Sequence, residues 1–169
     1  MFYSYIEFFP TGTVKKIKED IKINSSKDYY GWSERFNYVK RSDICCLYYA
    51  DWVWRELRKK IHGKHILPMD WIFRPWRIHK FSPQGFYAWH TDDVIRKEKI
   101  NSVRTRTIII NLDHEYNFKL NTTNGYYNLR PGNGIQIPIE DYYEINIDKN
   151  ERLEHYVLTT WGMRTKLFN

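Results

Sequence analysis

The sequence has little cysteine, glycine or proline. Of its 169 residues, two are cysteine, eight are glycine and six are proline. Cys45 and Cys46 are neighbours, which is a poor arrangement for a disulfide, and they lack a metal-site spacing such as C-x-x-C. We therefore expect two thiols in a reducing compartment and a fold that does not depend on disulfides.

Long apolar runs are also missing. No run approaches the ~20 residues that a membrane-spanning helix needs. The first residues, MFYSYIE, lack the basic start of a secretory signal and are soon followed by Pro10. We expect a soluble, cytoplasmic protein with no membrane partner. Its abundant Ile, Lys, Asn and Tyr suit an AT-rich genome, such as that of a virus or phage, and the sequence leaves source and oligomeric state open.

Aromatic residues and positive charge are plentiful. The chain has seven Trp, fourteen Tyr and nine Phe, and this composition favours strands over disorder. The net charge of +7 fits either an ordinary solvated surface or a polyanionic partner. The Lys and Arg residues are spread along the chain and form no block, which favours the solvated surface.

The first part of the chain predicts helices. Residues 2–9 predict a short strand, and the apolar spacing in 14–21 predicts an amphipathic helix. Residues 24–41 are polar and predict a loop. A second helix is predicted from Ser42 or Asp43 to Gly63, because Leu47, Leu57 and other apolar residues follow helical spacing.

From residue 71 onward the pattern predicts short strands separated by turns. The predicted strands are 71–81, 86–92, 104–112, 117–122, 126–130, 134–139, 143–147, 154–160 and 163–168. Asn124-Gly125 predicts a tight hairpin, and Trp161-Gly162 is interpreted as a turn. This predicts a mainly β fold, a sandwich or jelly roll, with N-terminal helices against one sheet. We expect one domain over 1–169, with helical support in 1–66 and the β core in 71–168.

One histidine–carboxylate pair has the spacing of metal ligands. His90 and Asp92 stand at i and i+2 near the end of a predicted strand, so both side chains can face the same ion. H-x-D also occurs by chance in a chain of this composition. His155 lies in a later predicted strand, and two His plus one carboxylate make the facial triad of non-haem Fe(II) oxygenases. We therefore predict His90, Asp92 and His155 as metal ligands.

Several segments resemble Fe(II)/2-oxoglutarate dioxygenases. The run HYVLTTWGMRTKLF at 155–168 is similar to the closing H-x-V…G-x-R segment of that superfamily. FSPQGFYAWHTD at 81–92, Arg104-x-x-Thr107-x-x-x-Asn111 and Arg130-Pro131-Gly132 resemble the prolyl 4-hydroxylase-like branch. The resemblance covers about residues 71–168 and implies a double-stranded β-helix.

The resemblance also implies roles for named residues. His90, Asp92 and His155 would be catalytic by holding Fe(II), and Arg164 would bind the far carboxylate of the cosubstrate 2-oxoglutarate. This branch usually has Tyr at the positions of Phe81 and Asn111, and these hydroxyls commonly help to hold the cosubstrate. Without them, cosubstrate contacts here would involve Asn111, Thr107 and the Phe81 position.

The reaction that the resemblance implies consumes 2-oxoglutarate and O2. It yields succinate and CO2 and hydroxylates a peptidyl side chain, with proline as the first candidate; a requirement for ascorbate stays open. A protein or peptide partner is favoured over nucleic acid. The alternatives are a nucleic-acid-modifying oxygenase, which the net charge would suit, and a non-catalytic β-helix binding module.

Other residues near the motif allow two interpretations each. Strict alternation places Tyr87 on the face opposite to His90, but a twist of the strand would still let it reach the mouth of the pocket. It would serve substrate contact or core packing. Asp93 is expected to face solvent. The basic segment 94–103 would be a substrate lid or a mobile surface loop. His62, His65 and His79 are interpreted as structural, and His114 as a surface residue.

Overall fold

The computed structural model describes residues 4–25, 33–36, 40–45, 51–60, 76–81, 85–92, 102–113, 115–146 and 154–165. Two helices are present in these ranges, α1 (Thr11–Ser25) and α2 (Asp51–Lys60). Neither is long and apolar enough to cross a membrane.

Eleven strands make up the rest of the described architecture. They are β1 (Ser4–Glu7), β2 (Ser33–Phe36), β3 (Lys40–Cys45), β4 (Trp76–Phe81), β5 (Phe86–His90), β6 (Ser102–Asn111), β7 (Phe118–Thr122), β8 (Gly125–Leu129), β9 (Asn133–Pro138), β10 (Tyr143–Asn146) and β11 (His155–Thr165).

The strands form one continuous antiparallel sheet that folds over on itself. Its order is β1-β9-β6-β11-β4-β3-β5-β10-β7-β8, with β2 paired to β3 outside this path. The β9-β6-β11-β4 part and the β5-β10-β7-β8 part form two layers, because buried residues of both join one core cluster. This is the predicted mainly β jelly roll, a double-stranded β-helix supported by helices.

Strict alternation in the central strands separates two cores. Even-numbered residues such as Ile108, Ile110 and Leu158 pack against the helices, where Val14 and Ile17 of α1 are fully buried. Odd-numbered residues of the same strands point between the two layers. Thr107 and Asn111 of β6 and His155 and Trp161 of β11 have odd numbers, so these residues lie on the face between the layers.

Gly132 fixes the N-terminal segment to the sheet. The backbone carbonyl of Gly132 accepts hydrogen bonds from the N–H groups of Phe8 and Phe9 at 3.0 and 3.1 Å. Its φ is +77°, and an added Cβ would lie 1.9 Å from the carbonyl oxygen of Phe9. Both the left-handed backbone and the close contact require glycine here.

The structure corrects the predicted N-terminal organisation. Residues 40–45 form β3, so the helix does not begin at Ser42 or Asp43; α2 begins at Asp51. The predicted loop 24–41 contains β2 and the last two residues of α1. Here pairing with three other strands overrides the local helix-capping signal. The N-terminal part therefore contributes strands to the sheet as well as helices.

A second correction concerns the closing segment. Trp161 and Gly162 are not a turn: β11 continues from His155 to Thr165. A register shift against β6 falls between Gly162 and Met163, which indicates a bulge within one strand. Residues 76–81 of the first predicted strand form β4, and the predicted strands from 86 to 146 correspond to β5–β10 with small differences at their ends. Residues 71–75 of the first predicted strand, the expected helix end at Gly63, the end 166–168 of the last predicted strand and residues 94–101 of the predicted lid 94–103 lie outside the described residues.

Candidate metal centre

The end of β5 carries a bulge that changes which side chains meet. On β10, Tyr143 and Ile145 are two residues apart, yet their partners on β5, His90 and Tyr87, are three apart. The extra residue breaks strict alternation and brings Tyr87 to the same side as His90. Their rings stack with centroids 3.8 Å apart and an interplanar angle of 10°. Strict alternation therefore does not hold at Tyr87, and its role in substrate contact stays a prediction.

The surroundings of His90 fix its tautomer. Its Nδ1 atom lies 2.6 Å from the carbonyl oxygen of Ala88. Because a carbonyl oxygen can only accept, Nδ1 carries the proton and Nε2 presents a lone pair. Nε2 is buried and has no hydrogen-bond partner among the described residues. A histidine held in this way is prepared to bind a metal through Nε2.

The carboxylate of Asp92 is buried and held on one side. Its Oδ2 atom accepts hydrogen bonds of 3.0–3.1 Å from Thr107, Tyr143 and Trp161. Burial by itself raises the pKa of Asp92. The hydrogen bond and charge attraction of the His90 ring, together with the hydrogen bonds from Trp161 and Thr107, outweigh burial and lower the pKa from 3.8 to about 2. Asp92 is therefore a carboxylate at neutral pH.

His90 and Asp92 together fit a bound cation. Nε2 of His90 and Oδ1 of Asp92 lie 3.4 Å apart without forming a hydrogen bond. When Nε2 carries no proton, its lone pair and Oδ1 of Asp92 face the same space, and a metal cation can take the place of the proton that would otherwise join them in an ion pair. Nitrogen and carboxylate oxygen are ligands that Fe(II) accepts. These two residues can therefore hold a metal.

His155 lies at the other end of β11. Its Nδ1 is 2.9 Å from Oδ2 of Asp113, and its ring meets the ring of Tyr116 edge-on. Trp161, which donates to Asp92, is six residues further along the same strand. At ~3.3 Å per residue, the two strand positions are roughly 20 Å apart.

The structure thus brings His90 and Asp92 together but not His155. Within the described residues, which include all three, no group of three His, Cys, Asp or Glu side chains could hold one metal ion. Two ladders fix the register of β11, one with β4 and one with β6. Moving His155 to the pair would require a shift against both. The role of His155 as a metal ligand stays a prediction.

The predicted cosubstrate residues have varied surroundings. Arg164 pairs with Val103 in the sheet, and its side chain lies outside the described residues. Phe81 is fully buried in the core. Asn111 donates from Nδ2 to the carbonyl oxygens of Tyr116 and Leu129, so both of its amide hydrogens are used within the protein.

Sequence reasoning missed three residues of this region. Tyr143 and Trp161 bind Asp92, and Asp113 binds His155, although each is distant in sequence from its partner. Only the position of Asp113, two residues after Asn111 and just beyond a predicted strand, gave a signal that could have found it. His79 is buried with Nε2 3.2 Å from Oγ1 of Thr159, as expected for a structural histidine.

Comparisons with known proteins support the fold assignment. No family model matches the sequence, and no curated protein sequence matches it. A Pseudomonas putida prolyl-4-hydroxylase has a TM-score of 0.62 at 13% identity, covering 96% of this chain and 92% of that one. The viral collagen prolyl hydroxylase of Paramecium bursaria chlorella virus-1, in complex with 2-oxoglutarate, has a TM-score of 0.60 at 14% identity, covering 98% and 97%.

A similar structure with different chemistry is the epimerase SnoN from nogalamycin biosynthesis, a non-haem, α-ketoglutarate-dependent enzyme. Its TM-score is 0.63 at 8% identity, covering 96% of this chain and 76% of that one. Because these identities are low, the similarity establishes the fold of 2-oxoglutarate oxygenases, and activity has to be argued from the site.

Proposed function

We propose that this protein is a non-haem iron enzyme that uses 2-oxoglutarate and O2 to hydroxylate a peptidyl side chain, with proline as the first candidate. The observation that carries the proposal is the pair formed by Nε2 of His90 and Oδ1 of Asp92, two buried acceptors 3.4 Å apart in a double-stranded β-helix. The fold is shared by enzymes whose known chemistry uses iron and 2-oxoglutarate.

In this proposal, His90 and Asp92 hold the iron. When bound, iron and 2-oxoglutarate supply the oxidising power, with release of succinate and CO2. The protein orients the ligands: the carbonyl oxygen of Ala88 fixes the His90 tautomer, and the stacked ring of Tyr87 holds the imidazole in place. Arg164 stays the proposed anchor for the far carboxylate of 2-oxoglutarate.

The three hydrogen-bond donors to Asp92 hold its carboxylate in one orientation. Because Thr107, Tyr143 and Trp161 all bind Oδ2, the carboxylate cannot rotate freely, and Oδ1 stays directed toward His90. Burial of this network keeps bulk water away from the pair. Thr107 was predicted to contact the cosubstrate, and we now propose for it a role in holding Asp92.

A peptide substrate is proposed because two of the similar structures are prolyl hydroxylases, one of them named for collagen. The net charge of +7 keeps a nucleic-acid substrate as the second candidate. Proline-containing peptides and single-stranded oligonucleotides should therefore be compared at physiological salt, where nonspecific phosphate binding is weakened.

The test is substrate-dependent formation of succinate from 2-oxoglutarate, combined with mass spectrometry of the substrate for one added oxygen atom. We expect turnover with proline peptides, none in His90→Ala, and wild-type turnover in Glu140→Gln, which changes an exposed carboxylate. Oxidation of oligonucleotides alone would replace the peptide assignment. Unchanged succinate formation in His90→Ala would contradict the iron role of His90.

A further inference from the structure

The strand β8 lies at one edge of the sheet. Among the described strands it pairs only with β7, and β9, which follows it in the chain, pairs with β6 and β1 instead. Proteins commonly protect such an edge with lysine, proline or a bulge, because its unpaired backbone groups can bind another strand. Gly125–Leu129 has the sequence GYYNL, without charge or proline, and its register with β7 is regular. This edge therefore lacks all three kinds of protection.

The register shows which backbone groups of β8 face outward. Thr123 donates its backbone N–H to the residue just before β10, so by alternation Asn121 and Lys119 of β7 also direct their backbone groups toward β10. Their partners on β8, Tyr126 and Asn128, consequently form the pairs without hydrogen bonds to β7. The N–H and C=O groups of Tyr126 and Asn128 point away from β7, toward the open edge.

The side chains at this edge are polar and aromatic. Tyr126 is 79% exposed, more than any other large hydrophobic side chain in the described ranges. It lies on the outer face, because its neighbour Tyr127 packs against the core between the two layers. Asn128 is exposed on the same outer face. The edge thus presents a ring, an amide and four unpaired backbone groups.

We infer that β8 pairs with β8 of a second copy of this chain, antiparallel and about a two-fold axis at Tyr127, so that the protein is a homodimer. Tyr126 then lies opposite Asn128 of the second copy, and each of these two pairs exchanges two backbone hydrogen bonds. The four bonds use every outward-facing N–H and C=O group of both residues. An axis at either neighbouring residue would pair only one of them within the strand.

Charge favours a second copy over a charged partner at this edge. The chain has a net charge of +7, but β8 itself is neutral. Two copies therefore meet without like charges opposite each other, whereas a polyanion would find no cation on the strand. Each Tyr126 ring would also lie beside Asn128 of the other copy, at a Cβ separation of ~5.5 Å, and lose exposure to water. Because the pairing occupies the edge of both copies, association stops at two.

The dimer goes beyond the proposed function and does not depend on it. In the sheet, β10 and β7 lie between β8 and β5, the strand that carries His90. A second copy bound at β8 is thus separated from the candidate metal pair by these strands. We expect each chain to hold a complete site of its own.

The test is the mass of the full-length chain in solution, measured by analytical ultracentrifugation from about 1 µM to about 100 µM. We expect the wild type to be a dimer at the higher concentrations. Asn128→Pro removes an N–H that faces away from β7, so the fold keeps its own ladder while the dimer loses two of its four backbone hydrogen bonds. Its dimer dissociation constant should rise at least about 10-fold.

A second variant and a control complete the set. Tyr126→Lys places a charge on the edge and should raise the dissociation constant by a similar factor. Tyr142→Ser removes another exposed aromatic ring, which lies outside β8, and should keep the wild-type mass. Circular dichroism checks that all three variants are folded.

Residue-resolved hydrogen exchange separates this pairing from other modes of dimerisation. The amides of Tyr126 and Asn128 should become protected as the protein concentration rises, because only the dimer gives them acceptors. A wild type that is a monomer at every concentration, a dimer that both variants leave unchanged, or exchange at these two amides that ignores concentration would overturn the inference. A larger assembly would overturn the closed dimer. None of these results concerns iron or 2-oxoglutarate, so each would leave the proposed function standing.

Discussion

The imidazole of His155 and the carboxylate of Asp113 form a buried pair with Nδ1 and Oδ2 2.9 Å apart. Lys18 of α1 completes this pair, because its Nζ lies 3.2 Å from the other oxygen of Asp113. One carboxylate that is 1% exposed thus connects a supporting helix to the start of β11. This carboxylate therefore links the helix to the sheet.

Asp113→Asn should destabilise the protein without affecting iron binding. The change removes the charge that Lys18 and His155 face, at a cost of about 1–3 kcal/mol in the free energy of unfolding. Urea denaturation would measure this against Glu140→Gln, for which no loss is expected. If Asp113→Asn instead weakened iron binding as strongly as His90→Ala, His155 would belong to the metal centre.

Gly132→Ala should be strongly destabilising. Its Cβ would meet the Phe9 carbonyl oxygen at 1.9 Å, and the residue has a φ of +77°. The two matched controls are Gly125→Ala, which has a positive φ but no atom within 4 Å, and Gly12→Ala, which has neither problem.

Gly125→Ala should cost about 1 kcal/mol and Gly12→Ala none, whereas Gly132→Ala should cost several times as much as Gly125→Ala. Thermal unfolding of the three variants checks this order. Equal effects at Gly132 and Gly125 would show that the contact with Phe9 does not constrain the turn.

The stability of the metal-free protein should depend on pH through Asp92. Its pKa is lowered from 3.8 to about 2 in the folded state. Because the folded pKa lies below the unfolded one, this stabilisation is present above about pH 4 and is lost as the pH falls toward 2. The loss amounts to about 2 kcal/mol.

Urea titrations with a chelator, from pH 5 to pH 2, would show a smaller pH dependence in Asp92→Asn than in the wild type. Glu140→Gln, at an exposed carboxylate, should follow the wild type. Parallel curves for the wild type and Asp92→Asn would mean that His90 and the donors on Oδ2 do not favour the charged form of Asp92.

Trp161→Phe should weaken Fe(II) binding about 10-fold. The change keeps an aromatic ring but removes the indole N–H that donates to Asp92 at 3.1 Å. Calorimetric titration with Fe(II) under anaerobic conditions measures the effect. Trp89→Phe is the control, because Trp89 is 46% exposed and stacks on Tyr142. Equal affinities in the two variants would contradict the role assigned to the Asp92 hydrogen bonds.

The sequence predicted the parts of the fold that depend on local patterns. Alternation and turn residues located β5–β10. A hairpin joins β7 to β8 as predicted, but its turn residues are Thr123 and Asn124, and Gly125 is the first residue of β8. Polar Lys40–Cys45 was not recognised as a strand, because it is defined by pairing with β2, β4 and β5. Such pairing has no periodic signal of its own.

The candidate site was predicted only in part, because some of its contacts are local in sequence and others depend on strand pairing. The pairing of His90 with Asp92 follows from i, i+2 spacing, which is local. The stacking of Tyr87 on His90 depends on a bulge, and the contact between Tyr143 and Asp92 depends on strand register across 51 positions. His155 was chosen from its residue type and its motif, but neither of these determines where along β11 the layers bring side chains together.

The most direct test of the His90–Asp92 metal centre is an anaerobic titration of Fe(II) and 2-oxoglutarate into the metal-free protein, with the weak visible band of chelated 2-oxoglutarate as the readout. We expect one iron per chain, a band that saturates with 2-oxoglutarate, its loss in His90→Ala, and its retention in Glu140→Gln. Absence of bound iron in the wild type, or a full band in His90→Ala, would contradict this metal centre.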